Sequence, residues 1–345
     1  MATESRTACA YSPNRPLSSI TTDDIENIRD ALSAAVVAFQ AAGNVKGEGR
    51  LAPKSAQNCW AALTTPFKYA STRKGPRELR VREPQGNPCL GIPPPRDGAS
   101  KQRHWCRPGE VLAVVSCTDV PRAWREAIAI AAYLHLRPGE LHELRVKDLD
   151  LETGEVRISR AFDEREKVVK APKTDEGIRH VSIPPALLPL LARMHRDLKP
   201  DDLIAPVVAA TQEKNRASLF RGFLKMSGVD RAELFAETAT HLMIDFRSLR
   251  DSGITWRFLG GERGEVVQRE AGHEHIATTL GYAKEVHSRG GRFGQPFPAL
   301  PAELTDSNGP PAGPPEVAQR QAAHLDVSDS SRARRRDTAI ADESA

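Results

Sequence analysis

Long apolar runs are missing from this 345-residue chain. No stretch approaches the roughly 18 apolar residues needed to cross a bilayer, which excludes a helical membrane span. The opening Met1-Ala-Thr-Glu-Ser-Arg6 lacks the apolar core of a secretory signal. Cysteine is scarce: Cys9, Cys59, Cys89, Cys106 and Cys117 are odd in number, widely spaced and without a Cys-x-x-Cys pair. That pattern argues against a disulfide framework or a structural zinc and for a reducing, cytoplasmic compartment. An excess of one charge sign is nearly absent, +4 overall, so charge alone announces no polyanion partner. No internal repeat is apparent, and no clustered carboxylate set of the kind a metal-dependent nuclease needs. The 27% of charged and 39% of hydrophobic residues suit a globular chain, and the length suggests two or three domains with a real core.

The distribution of charge says more than its total. Between Lys46 and Arg103 twelve Lys/Arg stand against four Asp/Glu, a local excess of eight. Such an excess suits a polyanion through phosphate neutralisation and counterion release, and equally a solvated positive face. Ahead of it, Asp23 with Glu26 reads as a capping box, followed by the helical stripe Ile25, Ile28, Leu32, Ala35, Val36 and Phe39. Cys59, Trp60, Leu63 and Phe67 also fall at helical spacing. Residues 21–95 therefore read as a small helical bundle with a basic face, after a flexible N-terminus (1–20). Pro84 to about Lys101, with Asn87-Pro88, Pro93-Pro94-Pro95 and Asp97-Gly98, carries the punctuation of a linker, placed at 96–106.

The second body spans 107–297. Trp124, Ala127, Ile128, Ala131 and Leu134 make a buried helix ending near Arg137-Pro138-Gly139. Val156-Arg157-Ile158-Ser159 and His180-Val181-Ser182-Ile183 alternate like strands joined by a polar, lysine-rich edge hairpin. Leu187, Leu188, Leu190, Leu191 and Met194 return to helix. The fold class is mainly α with a small antiparallel β-sheet, α+β. From 298 to 345 Pro, Ala, Gly, Ser and Asp dominate up to Arg332-Ala-Arg-Arg-Arg336, the composition of a disordered tail that could serve as a non-specific DNA-binding arm.

The most informative residues are Arg247-Ser-Leu-Arg250, Ala271-Gly-His273 and Leu280-Gly-Tyr282. His273 follows Arg250 by 23 residues and Tyr282 follows His273 by nine. More than a hundred residues upstream stands Leu136-Arg137-Pro-Gly-Glu140-Leu141, and the hairpin holds Pro172-Lys173-Thr174 before Arg179-His-Val-Ser-Ile183. Together these resemble the tyrosine recombinase (phage integrase) family. Its members carry an arginine in a G-L-R-x-x-E-L context, a hairpin lysine, an H-x-x-R motif, a G-H, and a tyrosine nucleophile about nine residues further on. The resemblance covers about Arg107 to Val286. It extends more weakly to the first domain, which looks like the family's core-binding domain ahead of the catalytic domain.

The resemblance implies Arg137, Lys173, Arg250, His273 and Tyr282 as the catalytic set, with no cofactor and no metal. The residue types agree with that chemistry. Strand transfer at a phosphodiester builds negative charge on two non-bridging oxygens, which two arginines, Arg137 and Arg250, can hold with paired donors. A phenol is a weak nucleophile, so Tyr282 would need cationic neighbours to favour phenolate. Lys173 would protonate the leaving 5′-oxygen, and His273 would bind and orient the phosphate. Two positions depart from the pattern. Arg247 stands where His or Lys is usual, and Asp251 where His is frequent. Arginine cannot exchange a proton near neutral pH, so acid–base work at Arg247 would be lost while hydrogen bonding stays.

Each residue also has a plainer role open to it. A lone tyrosine on a helix is usually a packing residue, and an isolated arginine a surface charge. His273 and His275, two apart with no third ligand, are a weak metal signal. Lys170 competes with Lys173 for the acid role; the following Thr174 favours Lys173. Trp60, Tyr69 and Trp105 could stack on bases, although Trp60 fits a core better.

What the resemblance implies is a site-specific recombinase of a mobile element, cutting and rejoining DNA through a 3′-phosphotyrosine. Its partners would be double-stranded recombination sites gripped in a two-domain clamp, a homotetramer on DNA and, as an optional addition, an accessory DNA-bending protein. No membrane partner is implied, and the expected location is cytoplasmic, on the nucleoid. The rival readings are a DNA-binding accessory or regulatory protein impaired in catalysis and a type IB topoisomerase-like enzyme.

Overall fold

A computed structural model describes residues 16–43, 47–71, 86–95, 101–171, 178–238, 241–288 and 293–306. Two compact units divide the chain: residues 1–102 with 238–241, and residues 103–237 with 242–345.

The first unit is built on two helices, α1 (Thr22–Ala41) and α2 (Pro53–Ser71). The capping box lies two residues earlier than the sequence suggests. Thr21 Oγ1 accepts from the Asp24 amide at 3.2 Å, and the Asp24 carboxylate accepts from the Thr21 amide at 2.8 Å. Thr21 can do this because its extended backbone leaves its side chain free to reach the first turn. The apolar stripe then faces inward: Ile25, Leu32, Val36 and Phe39 are buried, and Ala56, Trp60 and Phe67 of α2 join the same core. Trp60 is therefore a core residue, whereas Tyr69 is exposed.

The second unit holds the larger core. Helix α3 (Pro108–Ser116) precedes α4 (Arg122–Tyr133), whose residues from Trp124 onward are all buried. A short α5 (Pro138–His142) follows. Strands β1 (Leu149–Asp150), β2 (Glu155–Ile158) and β5 (Arg179–Ser182) form a three-stranded antiparallel sheet in the order β1-β2-β5, with Val156 opposite Val181 and Ile158 opposite Arg179. The strands start one residue earlier than their alternation suggests. Within the connection between them, where an edge hairpin is expected, β3 (Ala161–Asp163) and β4 (Val168–Lys170) pair as a hairpin of their own, Phe162 opposite Val169. The Asp163 carboxylate accepts from the amides of Arg165 and Glu166 at 2.9 and 3.2 Å, which closes its turn.

Helices α6 (Leu188–Asp197), α7 (Pro206–Ala210) and α8 (Glu213–Met226) cover the core. They lead to α9 (Ser248–Leu259), α10 (Gly264–Ala271) and α11 (Ile276–Ser288), which carry the sequence-marked residues. Gly253 sets the approach of α9 to α4. A Cβ there would lie 2.0 Å from the Ala132 carbonyl oxygen and 2.8 Å from the His135 Cβ, so only glycine fits. Between α9 and α10, Gly261 turns the chain with φ of +82°.

Two expected boundaries move. The end of the expected linker is core, because Trp105 and Cys106 are buried and the Cys106 amide and carbonyl bond Ser252 Oγ and Trp256 Nε1 at 2.8 and 2.9 Å. Base stacking by Trp105 is thereby replaced by packing. The start of the expected disordered tail is core as well. Phe297, the last residue of the expected catalytic domain, packs edge-on against Tyr133 and Trp256, and within the expected tail α12 (Ala302–Thr305) buries Leu304 completely. Arg125 pairs with Glu303, and Arg193 Nε donates to the Leu304 carbonyl at 3.1 Å. Composition hid this because a few apolar anchors suffice to hold a segment rich in proline. Residues 307–345 and most of the expected flexible N-terminus lie outside the described residues.

Candidate active site

The site is assembled in the second unit where α5, β5, α9, α10 and α11 meet, and its foundation is a buried carboxylate. Glu140 on α5 uses both oxygens fully. Oε1 accepts from Arg137 Nη1 at 2.8 Å and Arg179 Nη1 at 2.9 Å; Oε2 accepts from the Arg137 amide at 2.8 Å and Arg179 Nη2 at 2.9 Å. Arg179 on β5 also donates from Nε to the Glu270 carbonyl at 2.6 Å, tying sheet to α10. Burial alone would push the Glu140 carboxyl up, but the charge and hydrogen bonds of Arg179, with Arg250 and Arg137 beyond, hold it down at about 2. The Pro138-Gly139 start of α5 makes this possible, since Glu140 reaches back to cap its own helix. A Cβ at Gly139 would meet the Phe162 carbonyl oxygen at 2.4 Å.

Arg137 and Arg250 converge on the turn between α10 and α11. Arg137, 40% exposed, donates to the Gly272 carbonyl at 3.1 Å. Arg250, buried on α9, donates to the Ala271 carbonyl at 2.5 Å and the His135 carbonyl at 2.9 Å. The backbone of His135 has φ of +41°, presenting its carbonyl to this bond. Burial and the nearby Arg137 push Arg250 down to about 9, which leaves it protonated at neutral pH.

Helix α10 stops at Gly272, in the left-handed region with φ of +62°, where a Cβ would crowd the Arg179 side chain. That stop delivers His273, whose Nδ1 lies 2.9 Å from the buried Thr279 hydroxyl. Burial and the positive charges of Arg250, Arg137 and Arg179 push His273 down to about 4, so its ring is neutral at pH 7. The ring lies parallel to that of Tyr282, with centroids 6.2 Å apart and 11° between planes.

Tyr282 on α11 packs with Ile254, Phe258, Val267 and Ala271. Its hydroxyl donates to Asp251 Oδ1 at 2.7 Å. Here the expectation of a phenolate favoured by cations is corrected. Burial, reinforced by the charge and hydrogen bond of Asp251, pushes the Tyr282 phenol above its ordinary value, and the charges of Arg250 and Arg247 do not offset it. Asp251 is itself pushed up by burial, against the opposing pull of Tyr282, Arg103, Arg250 and Arg247.

The structure thus brings Arg137, Arg250, His273 and Tyr282 together. Arg247 is exposed at the start of α9 and lines an open groove of about 850 Å³ together with Arg103, Arg137, Arg165 and Lys170. Lys173 lies outside the described residues. Its competitor Lys170 is held by Asp163 at 2.8 Å and Glu166 at 2.7 Å. Sequence reasoning missed Glu140 and Arg179, although both sat inside the quoted motifs; the signal was a glutamate three residues after a helix-starting arginine. Asp251 was noticed only as a departure, and Thr279 and Arg103 gave no signal. Among the described residues no group of three or more His, Cys, Asp or Glu gathers as metal ligands, and no helix is long and apolar enough to cross a membrane.

No family model matches the chain. Over 217 residues, 59% of its length, the chain is 32% identical to a protein assigned as the prophage phiRv2 integrase of Mycobacterium tuberculosis, in strains CDC 1551 and H37Rv. It spans about half, 53%, of the length of those relatives. In fold it is similar to the Tn1549 transposon integrase in complex with transposon right end DNA, with a TM-score of 0.52 at 17% identity over 80% of this chain and 86% of that one. The same integrase with a circular intermediate DNA gives a TM-score of 0.51 at 17% identity, over 82% of this chain and 91% of that one. In sequence the chain is thus similar over part of its length to an assigned prophage integrase, and in fold it is like the Tn1549 transposon integrase.

Proposed function

We propose that this chain is a site-specific DNA recombinase that integrates or excises a mobile element through a 3′-phosphotyrosine intermediate. The observation that carries the reading is the convergence of Arg137, Arg250, His273 and Tyr282, from three separate parts of the sequence, on the α10–α11 turn. Two guanidiniums there replace carbonyl contacts with bonds to the non-bridging oxygens of a phosphodiester, stabilising charge as it grows. His273, held through Nδ1 at 2.9 Å from the Thr279 hydroxyl, uses its other ring nitrogen on the same phosphate. Tyr282 attacks phosphorus, Lys173 protonates the departing 5′-oxygen, and the bond energy is kept for rejoining. Arg247 in the groove holds the DNA backbone and moves no proton. The kinship to an assigned prophage integrase and the fold of a transposon integrase seen with transposon DNA support duplex recombination sites as the partner. Assembly as a tetramer on two sites, help from a DNA-bending protein and a place on the nucleoid complete the proposal.

A second reading, a DNA-binding protein without turnover, is favoured by one observation: the Tyr282 hydroxyl donates to Asp251, which holds its phenol protonated. One experiment separates the two. The chain is incubated in EDTA with nicked duplexes taken from the DNA flanking its own gene, and products are run on a denaturing gel. The recombinase reading predicts a DNA-linked band that is lost in Tyr282→Phe. Binding on a native gel with no such band selects the second reading.

A further inference from the structure

Asp251 is the feature of the site that the catalytic set above leaves without a task. Resting on the recombinase reading, we propose that Asp251 is the catalytic base that takes the proton of the Tyr282 hydroxyl as the phenol attacks the DNA phosphate. The 2.7 Å bond from Tyr282 Oη to Asp251 Oδ1 places acceptor and proton in line before substrate arrives. Asp251 is 8% exposed, and its second oxygen, Oδ2, has no hydrogen-bond partner, so no other donor holds this carboxylate in place. The arginines near the hydroxyl cannot do this work. Arg250 and Arg247 on the same helix, and Arg103 ahead of α3, are cations without a lone pair to offer. His273 lies parallel to the Tyr282 ring and commits Nδ1 to Thr279.

The arrangement explains how a buried, raised phenol can still act. A free phenolate is not required, because the proton leaves as the bond to phosphorus forms. The Oη–H electron pair stays on oxygen and makes the Oη–P bond; the proton passes to Oδ1, giving a neutral carboxylic acid. The P–O5′ bond breaks and the 5′-oxygen leaves with a proton from Lys173. Rejoining reverses each step: the 5′-hydroxyl attacks, and Tyr282 leaves and recovers its proton from Asp251. The charges of Arg103, Arg250 and Arg247 favour the ionised carboxylate, against the burial that favours its protonation.

The test uses Asp251→Asn, which keeps an oxygen for the Tyr282 hydroxyl to bond but cannot take the proton. The whole chain is offered nicked duplex from its own flanking DNA, with the 5′-bridging oxygen at the cleaved phosphate either native or replaced by sulfur, a leaving group that needs no acid. The expected result is an adduct rate about 10²–10⁴-fold slower in Asp251→Asn on both substrates. Lys173→Ala, by contrast, recovers on the sulfur substrate. The wild-type rate falls about tenfold per pH unit below the titration of its base, and Asp251→Asn lacks that acid limb. A rate for Asp251→Asn within threefold of wild type, or recovery on the sulfur substrate, overturns the assignment. If the variant does not fold, the wild-type profile on the sulfur substrate decides, and a flat acid side overturns it. A wild-type chain that binds duplex and forms no adduct overturns the recombinase reading itself; an adduct with Asp251→Asn unimpaired overturns this assignment alone.

Discussion

Replacing Glu140 by Gln removes one negative charge from the centre of the site while keeping its shape. In the native protein this carboxylate, 5% exposed, faces Arg179 through two bonds of 2.9 Å and Arg137 through two of 2.8 Å. Arg179, 3% exposed, has no water to turn to when its counter-ion goes. Breaking a buried pair by removing one partner costs about 3–5 kcal/mol. The carboxyl's fall from 4.5 to about 2 gives a consistent figure, about 3 kcal/mol of stability above pH 4.5. Because the folded value is depressed, that stability is complete above pH 4.5 and drains away as pH falls toward 2. Urea unfolding of Glu140→Gln at pH 7 is therefore expected to show a loss of about 3 kcal/mol. The wild-type loss of stability between pH 4.5 and 2 is expected to be correspondingly smaller in the variant. The same change also frees Arg137 from its anchor, so adduct formation is expected to fall more than duplex binding. A loss below about 1 kcal/mol at pH 7, or an unchanged acid limb, would refute the claim that Glu140 organises the two arginines.

Other substitutions probe the remaining supports. Gly253→Ala puts a methyl group 2.0 Å from the Ala132 carbonyl, and forcing α9 from α4 is expected to cost about 1–3 kcal/mol in thermal or chemical unfolding. Leu304→Ala is expected to cost about 2–5 kcal/mol, which unfolding by urea will show only if residues 293–306 pack on the core as described. Arg250→Ala is expected to lower the adduct rate by about 10²–10³-fold, measured on the nicked duplex, since one of the two donors proposed for the phosphate is lost.

Much of the fold was legible because its signals are local. The stripe from Ile25 to Phe39, the buried run from Trp124 and the alternation around Val156 and Val181 depend on period alone, and each forms the element expected, although α4 ends at Tyr133, ahead of the expected Arg137. The boundaries were less legible because they depend on distant partners. Cys106 looks like linker until Ser252 and Trp256 bond its backbone, and Leu304 looks like tail until the core receives it. In the site, intervals singled out Arg137, Arg250, His273 and Tyr282, which the structure brings together. Intervals cannot show that Glu140 and Arg179 share a buried bond across 39 positions, or that Asp251 meets Tyr282 across 31. Those contacts arise from helix crossings that no single segment encodes.

The central claim is that Tyr282 becomes joined to DNA. Mass spectrometry of the protease-digested adduct, formed on nicked flanking duplex and trimmed by nuclease, reads the joined residue directly. The account predicts a nucleotide on the peptide bearing Tyr282, attached through its phenolic oxygen. A nucleotide on any other residue, or no modified peptide from protein that binds the duplex, would contradict it.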